Sequence, residues 1–224
     1  MISQERQKNN QERFLKELEI IKDEPGYDKL IDYIVNKSDM FTAPGSTRFH
    51  MSVEGGLLQH SLNVLDAMRS LLHKNDEGNY EYRICDTIIA GQSAHGSPLT
   101  EYTERNIVVI ALLHDLCKTR FYSVEKRNRK VNGVWEEYDA YTVNDQIPYG
   151  HGEKSVMMIQ QFGLQLQQPE LYAIRWHMGF PEGADKYTFS NAVDLFPIVW
   201  VTHNADMIAT HFMEDKENNK PEFA

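Results

Sequence analysis

NIVVIALLHDLCK, residues 106–118, is the stretch on which the fold turns. Its apolar residues fall on every side of a helical wheel, so it reads as a buried central helix with other helices packed round it. His114 and Asp115 stand inside that run. Burying an isolated carboxylate costs on the order of several kcal/mol, so Asp115 must be paired, protonated or bound to a metal. On these residues alone two readings stay open: a carboxylate satisfied by a cap or buried hydrogen bond, and a metal ligand.

Working toward the N-terminus, a long helix is expected from about Gly56. Leu57, Leu58, Leu62, Val64, Leu65, Met68, Leu71 and Leu72 give it a wide apolar face, and His60 lies on the stripe through Leu57, Val64 and Met68. A lone inward histidine is more often a satisfied core residue than a ligand. Ser38 to Glu54, with Pro44-Gly45, reads as a structured loop. Tyr27, Leu30, Ile31, Ile34 and Val35 mark a second helix. Phe14, Leu15, Leu18 and Ile21 mark a first, stopped by Pro25-Gly26. The first dozen residues are polar and are expected to fray.

Toward the C-terminus, residues 83–90 are expected to be helical and 95–98 to form a loop. The runs 121–131 and 134–143 flank Asn132-Gly133, a strong hairpin signal because that turn needs positive φ at both positions. Helical character returns over 153–162, over 170–178 and over 191–214, the last expected as one long helix kinked at Pro197. The fold class is therefore mainly α: a helical bundle with one inserted β-hairpin at about residues 121–143. Residues 1–40 read as a helical extension packing on a core of 41–214, with 215–224 a loose polar tail.

The chain of 224 residues, 41% hydrophobic and 25% charged, can fold on its own core. Its formal charge of −10 opposes binding of long nucleic acid. Two cysteines, Cys85 and Cys117, make no disulfide framework and suit a reducing, cytoplasmic setting. No apolar run approaches the ~20 residues of a membrane span, and the polar N-terminus lacks the apolar core of a secretion signal.

Further polar residues on other helices move the balance at Asp115 and His60. VTHNADMIA places His203 and Asp206 three apart among apolar neighbours. His177 falls in LYAIRWHMG on the side of Leu171 and Ile174, and His151 opens a helix in YGHGEKS. Inward His and Asp residues on several helices form the pattern of a metal cage. Imidazole with carboxylate suits Fe, Mn, Zn, Co or Ni without choosing among them.

The pieces GGLLQHS, LLHDLCK and HNAD, in the order His, His-Asp, Asp, resemble the signature of the HD-domain phosphohydrolases. The pattern is similar to the bacterial branch that includes the YhaM-type 3′–5′ exoribonucleases, through Gly55 to His60 with His50 upstream, His114 to Lys118, Gly150-His151, His177, and His203 to Asp206. It also resembles HD hydrolases of Firmicutes and their phages, over about residues 40–214. The chain departs from the exoribonucleases in lacking an OB-type domain within residues 1–40, in a single His177 where they carry a pair, and in its charged hairpin.

The resemblance implies a divalent transition metal, one ion or two. His60, His114, Asp115 and Asp206 would hold the first, while Asp115, His151 and His177 would reach a second. It implies a phosphohydrolase acting on a phosphomonoester or phosphodiester, a nucleotide or short oligonucleotide, with Asp115 and Lys118 as catalytic candidates. Lys118 reads as a phosphate clamp, against a solvated lysine at a helix end. Arg48, His50 and His203 are substrate-binding candidates, against structural roles. Lys126, Arg127, Arg129 and Lys130 on the hairpin read as a charged strand edge rather than a ligand site. Two other classes stay open: a binuclear-iron oxygenase and a non-catalytic nucleotide-binding module.

Overall fold

A computed structural model describes residues 2–93, 95–180 and 186–214. Its helices are α1 (Gln4–Leu18), α2 (Tyr27–Asp32), α3 (Gly56–Leu71), α4 (Glu104–Leu113), α5 (His151–Gln161), α6 (Gln168–Trp176), α7 (Lys186–Leu195) and α8 (Ile198–Ile208). The 106–118 stretch does lie at the centre: Ile107 to Leu113 are all within 1% of full burial. α4 begins on a capping box, Thr103 accepting from the Asn106 amide while Asn106 returns the bond. It packs on α3, α6 and α1, and α3 packs in turn on α8.

The polar first dozen residues are ordered, contrary to the expectation of fraying. Ser3 caps α1, whose N-terminal turns are held to α3 by polar side chains while Phe14 and Leu18 further on are buried in the core. Arg6 and Asn10 donate to Gln59, and Arg13 pairs with Asp66. Periodicity of apolar residues is blind to such contacts.

Residues 83–90 are not helical. They form the antiparallel strands β3 (Arg83–Ile84) and β4 (Thr87–Ile88), with Cys85 in the left-handed region at φ 54°. Two further short pairs flank them, β1 (His73–Lys74) with β2 (Tyr80–Glu81), and β5 (Gly91–Gln92) with β6 (Pro98–Leu99). β-Branched Ile84, Thr87 and Ile88 about a two-residue turn favour this outcome over a helix. The expected hairpin is present as β7 (Tyr122–Val131) and β8 (Val134–Val143), with positive φ at Asn132 and Gly133.

The expected single helix over 191–214 is two. α7 ends at Leu195 and α8 starts at Ile198, because Pro197 offers no amide hydrogen and disfavours helical φ/ψ at Phe196. After α8 the chain opens into one wide turn, Ala209–Met213, closed by the Glu214 amide on the Ala209 carbonyl. The expected tail lies outside the described residues. No described helix is long and apolar enough to cross a membrane.

Candidate metal centre

Two close backbone approaches set the site. A Cβ on Gly56 would stand 2.0 Å from the Met51 carbonyl oxygen, so glycine lets α3 start against the loop that carries His50. A Cβ on Gly152 would stand 2.3 Å from the Arg175 carbonyl oxygen, so glycine lets α5 start against α6 and sets His151 beside His177. α4 ends at Leu113. His114 is still helical, but Asp115 leaves the helix at φ −103°, ψ 18° before a tight turn over Leu116–Lys118. That departure turns the Asp115 carboxylate across the end of the helix.

Around Asp115 the structure gathers His60 from α3, His114 from α4, His151 from α5, His177 from the end of α6 and Asp206 from α8. Asp115 Oδ1 lies 2.8 Å from His151 Nε2 and 3.4 Å from His177 Nε2. Its other oxygen lies 2.6 Å from Lys118 Nζ, 3.3 Å from His114 Nε2 and 3.6 Å from His60 Nε2. His60 Nε2 is also 3.1 Å from Asp206 Oδ1. His60, His114 and His177 are fully buried, and Asp115 and Asp206 nearly so.

The outward nitrogens of the three buried rings are tied off. His114 Nδ1–H donates to the Ala111 carbonyl and His177 Nδ1–H to the Ile174 carbonyl, each at 2.8 Å. Both acceptors are among the carbonyls a helix leaves unpaired in its last turn. His60 Nδ1–H donates to Glu214 Oε1 at 2.6 Å. A carbonyl or carboxylate can only accept, so the protons sit on Nδ1. The inward Nε2 atoms of His60, His114 and His177 are buried without an aligned hydrogen bond. An unmade bond at such an atom costs about 1–3 kcal/mol, and three on one point need an explanation. Nitrogen lone pairs converging beside carboxylates, each ring held from behind, form the donor set of a transition-metal centre. Among the described residues, His60, His114 and Asp206 bring ligand atoms within 4.8 Å of one another, and so do His114, Asp115 and His177. The residues fit a divalent ion.

Without such an ion the charges settle among themselves. Burial works against the His60 imidazolium, but Asp206 and Glu214 outweigh it and lift the ring to about 10. Burial lowers His114 and His151. Burial also opposes ionisation of Asp115, yet Lys118 and His114 hold it well below the usual carboxylate range. Asp206 is held low by His60 against the same burial. Glu214, likewise buried, is brought down to about 2 by His50 and His60.

The sequence candidates thus divide. His60, His114, Asp115, Lys118, His151, His177 and Asp206 meet in one cluster. Lys118 is buried and bonded to Asp115, so it is no solvated helix-end lysine. His50 stands one layer out, its Nδ1 3.1 Å from Glu214 Oε2. His203 lies behind His177, donating to its carbonyl at 2.8 Å. Arg48 is exposed, its guanidinium 5.6 Å over the Phe49 ring. Sequence reasoning missed Glu214 and Cys117. Cys117 Sγ lies 3.3 Å from His151 Nδ1, and burial pushes the thiol up to about 12. Glu214 had no periodic signal, since the wide turn before it breaks helical phase. Of the hairpin cations, Lys126 pairs with Asp139 and Arg127 with Glu125, while Arg129 lies over the Tyr138 ring with its Nε and Nη1 buried and without a hydrogen bond.

A helical fold with a buried His/Asp cluster contributed by five helices defines the class: an α-helical protein built round a candidate metal centre. The sequence profile described as HD domain matches residues 57–221, most of the chain, and the chain belongs to that family. That family consists in general of metal-dependent hydrolases. No curated protein and no solved structure gives a significant match.

Proposed function

We propose that this HD-domain protein is a metal-dependent phosphohydrolase, cleaving a phosphomonoester or phosphodiester in a nucleotide or short oligonucleotide. His60, His114, Asp115 and Asp206 would hold one divalent ion. His151 and His177, both facing the other oxygen of Asp115, would complete a second position. The observation that carries the reading is the set of three buried Nε2 atoms, turned inward by partners on Nδ1 and left without aligned hydrogen bonds.

A divalent ion bound there supplies Lewis-acid charge to phosphoryl oxygens and makes water a nucleophile near neutral pH. The chain's own residues do the rest. Asp115 joins the two halves of the cluster through its two oxygens. Lys118 stays charged, because Asp115 more than offsets its burial, and sets a fixed cation beside the point where phosphate charge builds up. His151 is the least buried of the cluster histidines and stands at its rim. The surrounding apolar helices keep bulk water from the other ligands.

Elemental analysis of protein purified without added metal, followed by assay of nucleotides, cyclic nucleotides, dinucleotides and short RNA with Mn, tests this reading. Stoichiometric transition metal is expected, with release of phosphate from a monoester or of a nucleotide from a diester. Protein that neither retains nor takes up metal would end it.

A further inference from the structure

We infer that the polar cleft beside the hairpin base is the nucleoside pocket of this enzyme, with Arg120 as the residue that holds the nucleotide's phosphate end. The inference rests on the hydrolase reading for its substrate class and on separate geometry for its place.

The cluster is closed on most sides, so the organic part of any phosphate ester must lie outside it. Its less buried members point to where. Lys118 is followed directly by Thr119 and Arg120, about 3.8 Å further along the chain for each residue. His151 shares one face of α5 with Lys154 and Met158, three and seven residues on. Thr119, Arg120, Tyr122, Lys154 and Met158 all line one cleft of about 970 Å³. Two separate segments that carry cluster residues therefore also line this space, which begins one residue after Lys118 and one helical turn after His151. The cleft along the opposite face of α5, lined by Glu153, Val156 and Met157, has no lining residue from the segment that follows Lys118.

The walls suit a nucleoside. Tyr33 and Phe162 lie against each other with centroids 4.8 Å apart, offering aromatic surface. Asn36, Asn144 and Gln146 supply amides able to read base or sugar edges. A volume near the upper end of small-ligand sites, about 300–1,000 Å³, admits a mononucleotide. The overall negative charge disfavours longer polyanions.

Arg120 is the sharpest feature. It holds φ at +54°, a left-handed conformation uncommon outside glycine. Its amide is fastened to Asp39 Oδ1 at 2.6 Å, which fixes the strained turn. Its side chain is exposed at the cleft, and no ion pair to it occurs among the described residues. A glycine would suit the backbone better, so the arginine sits there under local strain, as residues at ligand clamps do. The neighbouring Lys37 and Lys154 are occupied by Asp32 and Asp145.

The test is calorimetric titration of the full chain with a non-hydrolysable nucleoside 5′-phosphonate and with methylphosphonate, which carries the anion alone. The nucleoside probe is expected to bind at least tenfold tighter. Arg120→Gly should lose about tenfold in its affinity without a fall in melting temperature; Arg120→Asn, which also tolerates left-handed φ, serves if the glycine variant misfolds. Equal affinity for the two probes, or unchanged affinity in both variants, overturns the proposal. Binding of the nucleoside probe by a protein that hydrolyses no phosphate ester would support the cleft and defeat the hydrolase reading. Turnover with no preference for nucleosides would do the reverse.

Discussion

The buried His/Asp cluster and the β7–β8 hairpin both concentrate charge, and they handle it in opposite ways. In the hairpin, Lys126 pairs directly with Asp139 and Arg127 with Glu125 on exposed strand residues. In the cluster, two carboxylates and three imidazoles are withdrawn from water with too few hydrogen bonds among them. Exposed pairs are worth about 0–1 kcal/mol and tolerate loss. Buried polar groups depend on their partners, and removing one leaves the rest stranded. Density of charge is thus a poor guide to function; several unanswered buried nitrogens from different helices converging on one point are a better one, which the single Arg129 side chain of the hairpin does not make.

The largest break in this contrast should come from Asp115→Ala or His114→Ala. Each is expected to abolish metal content by elemental analysis and to reduce turnover to background, with helical circular dichroism retained. Turnover surviving in either variant would sink the site assignment. Next comes Glu214→Gln, which keeps the shape but weakens the acceptor behind His60. Metal affinity should fall about 10–100-fold, the usual cost of losing a partner behind a ligand, and competition with a chelator measures it. Unchanged affinity would show that Glu214 only fills space.

A smaller effect concerns pH. In metal-free protein His60 is raised from 6.5 to about 10. Its contribution to stability is complete below about pH 6.5 and is lost as pH climbs to about 10. Asp206 and Glu214 are lowered, so their contribution is present above the ordinary carboxylate range and is lost on acidification. The melting temperature of metal-free protein should fall between pH 6.5 and 10. Metal-loaded protein should lack that slope, since a ligating imidazole carries no proton on Nε2. The smallest effect belongs to the hairpin. Lys126→Ala and Trp135→Ser should each change unfolding free energy by less than about 0.5 kcal/mol and leave metal content unchanged. A large loss of metal in either would break the comparison.

The helical class, the hairpin and its Asn-Gly turn were legible in the sequence because apolar period and turn chemistry are local signals. So was the seven-residue cluster, through polar residues set in apolar helices and the spacing they share with the HD family. What escaped reading is non-local. The pairing of Arg6, Asn10 and Arg13 with α3 leaves no mark in apolar period, and residues 83–90 carry β-branched side chains in a window too short to separate helix from strand. Glu214 follows a turn of unusual width, which erases the phase that would have linked it to Asp206.

Glu214 lies 154 positions after the histidine it seats. At translation rates of about 5–20 residues per second, His60 waits on the order of ten seconds for that partner during synthesis. His114, Asp115, His151, His177 and Asp206 all emerge first, so the cluster has its inward groups before it has its final clasp. The bond that seats His60 is thereby placed after the synthesis of every other member of the cluster.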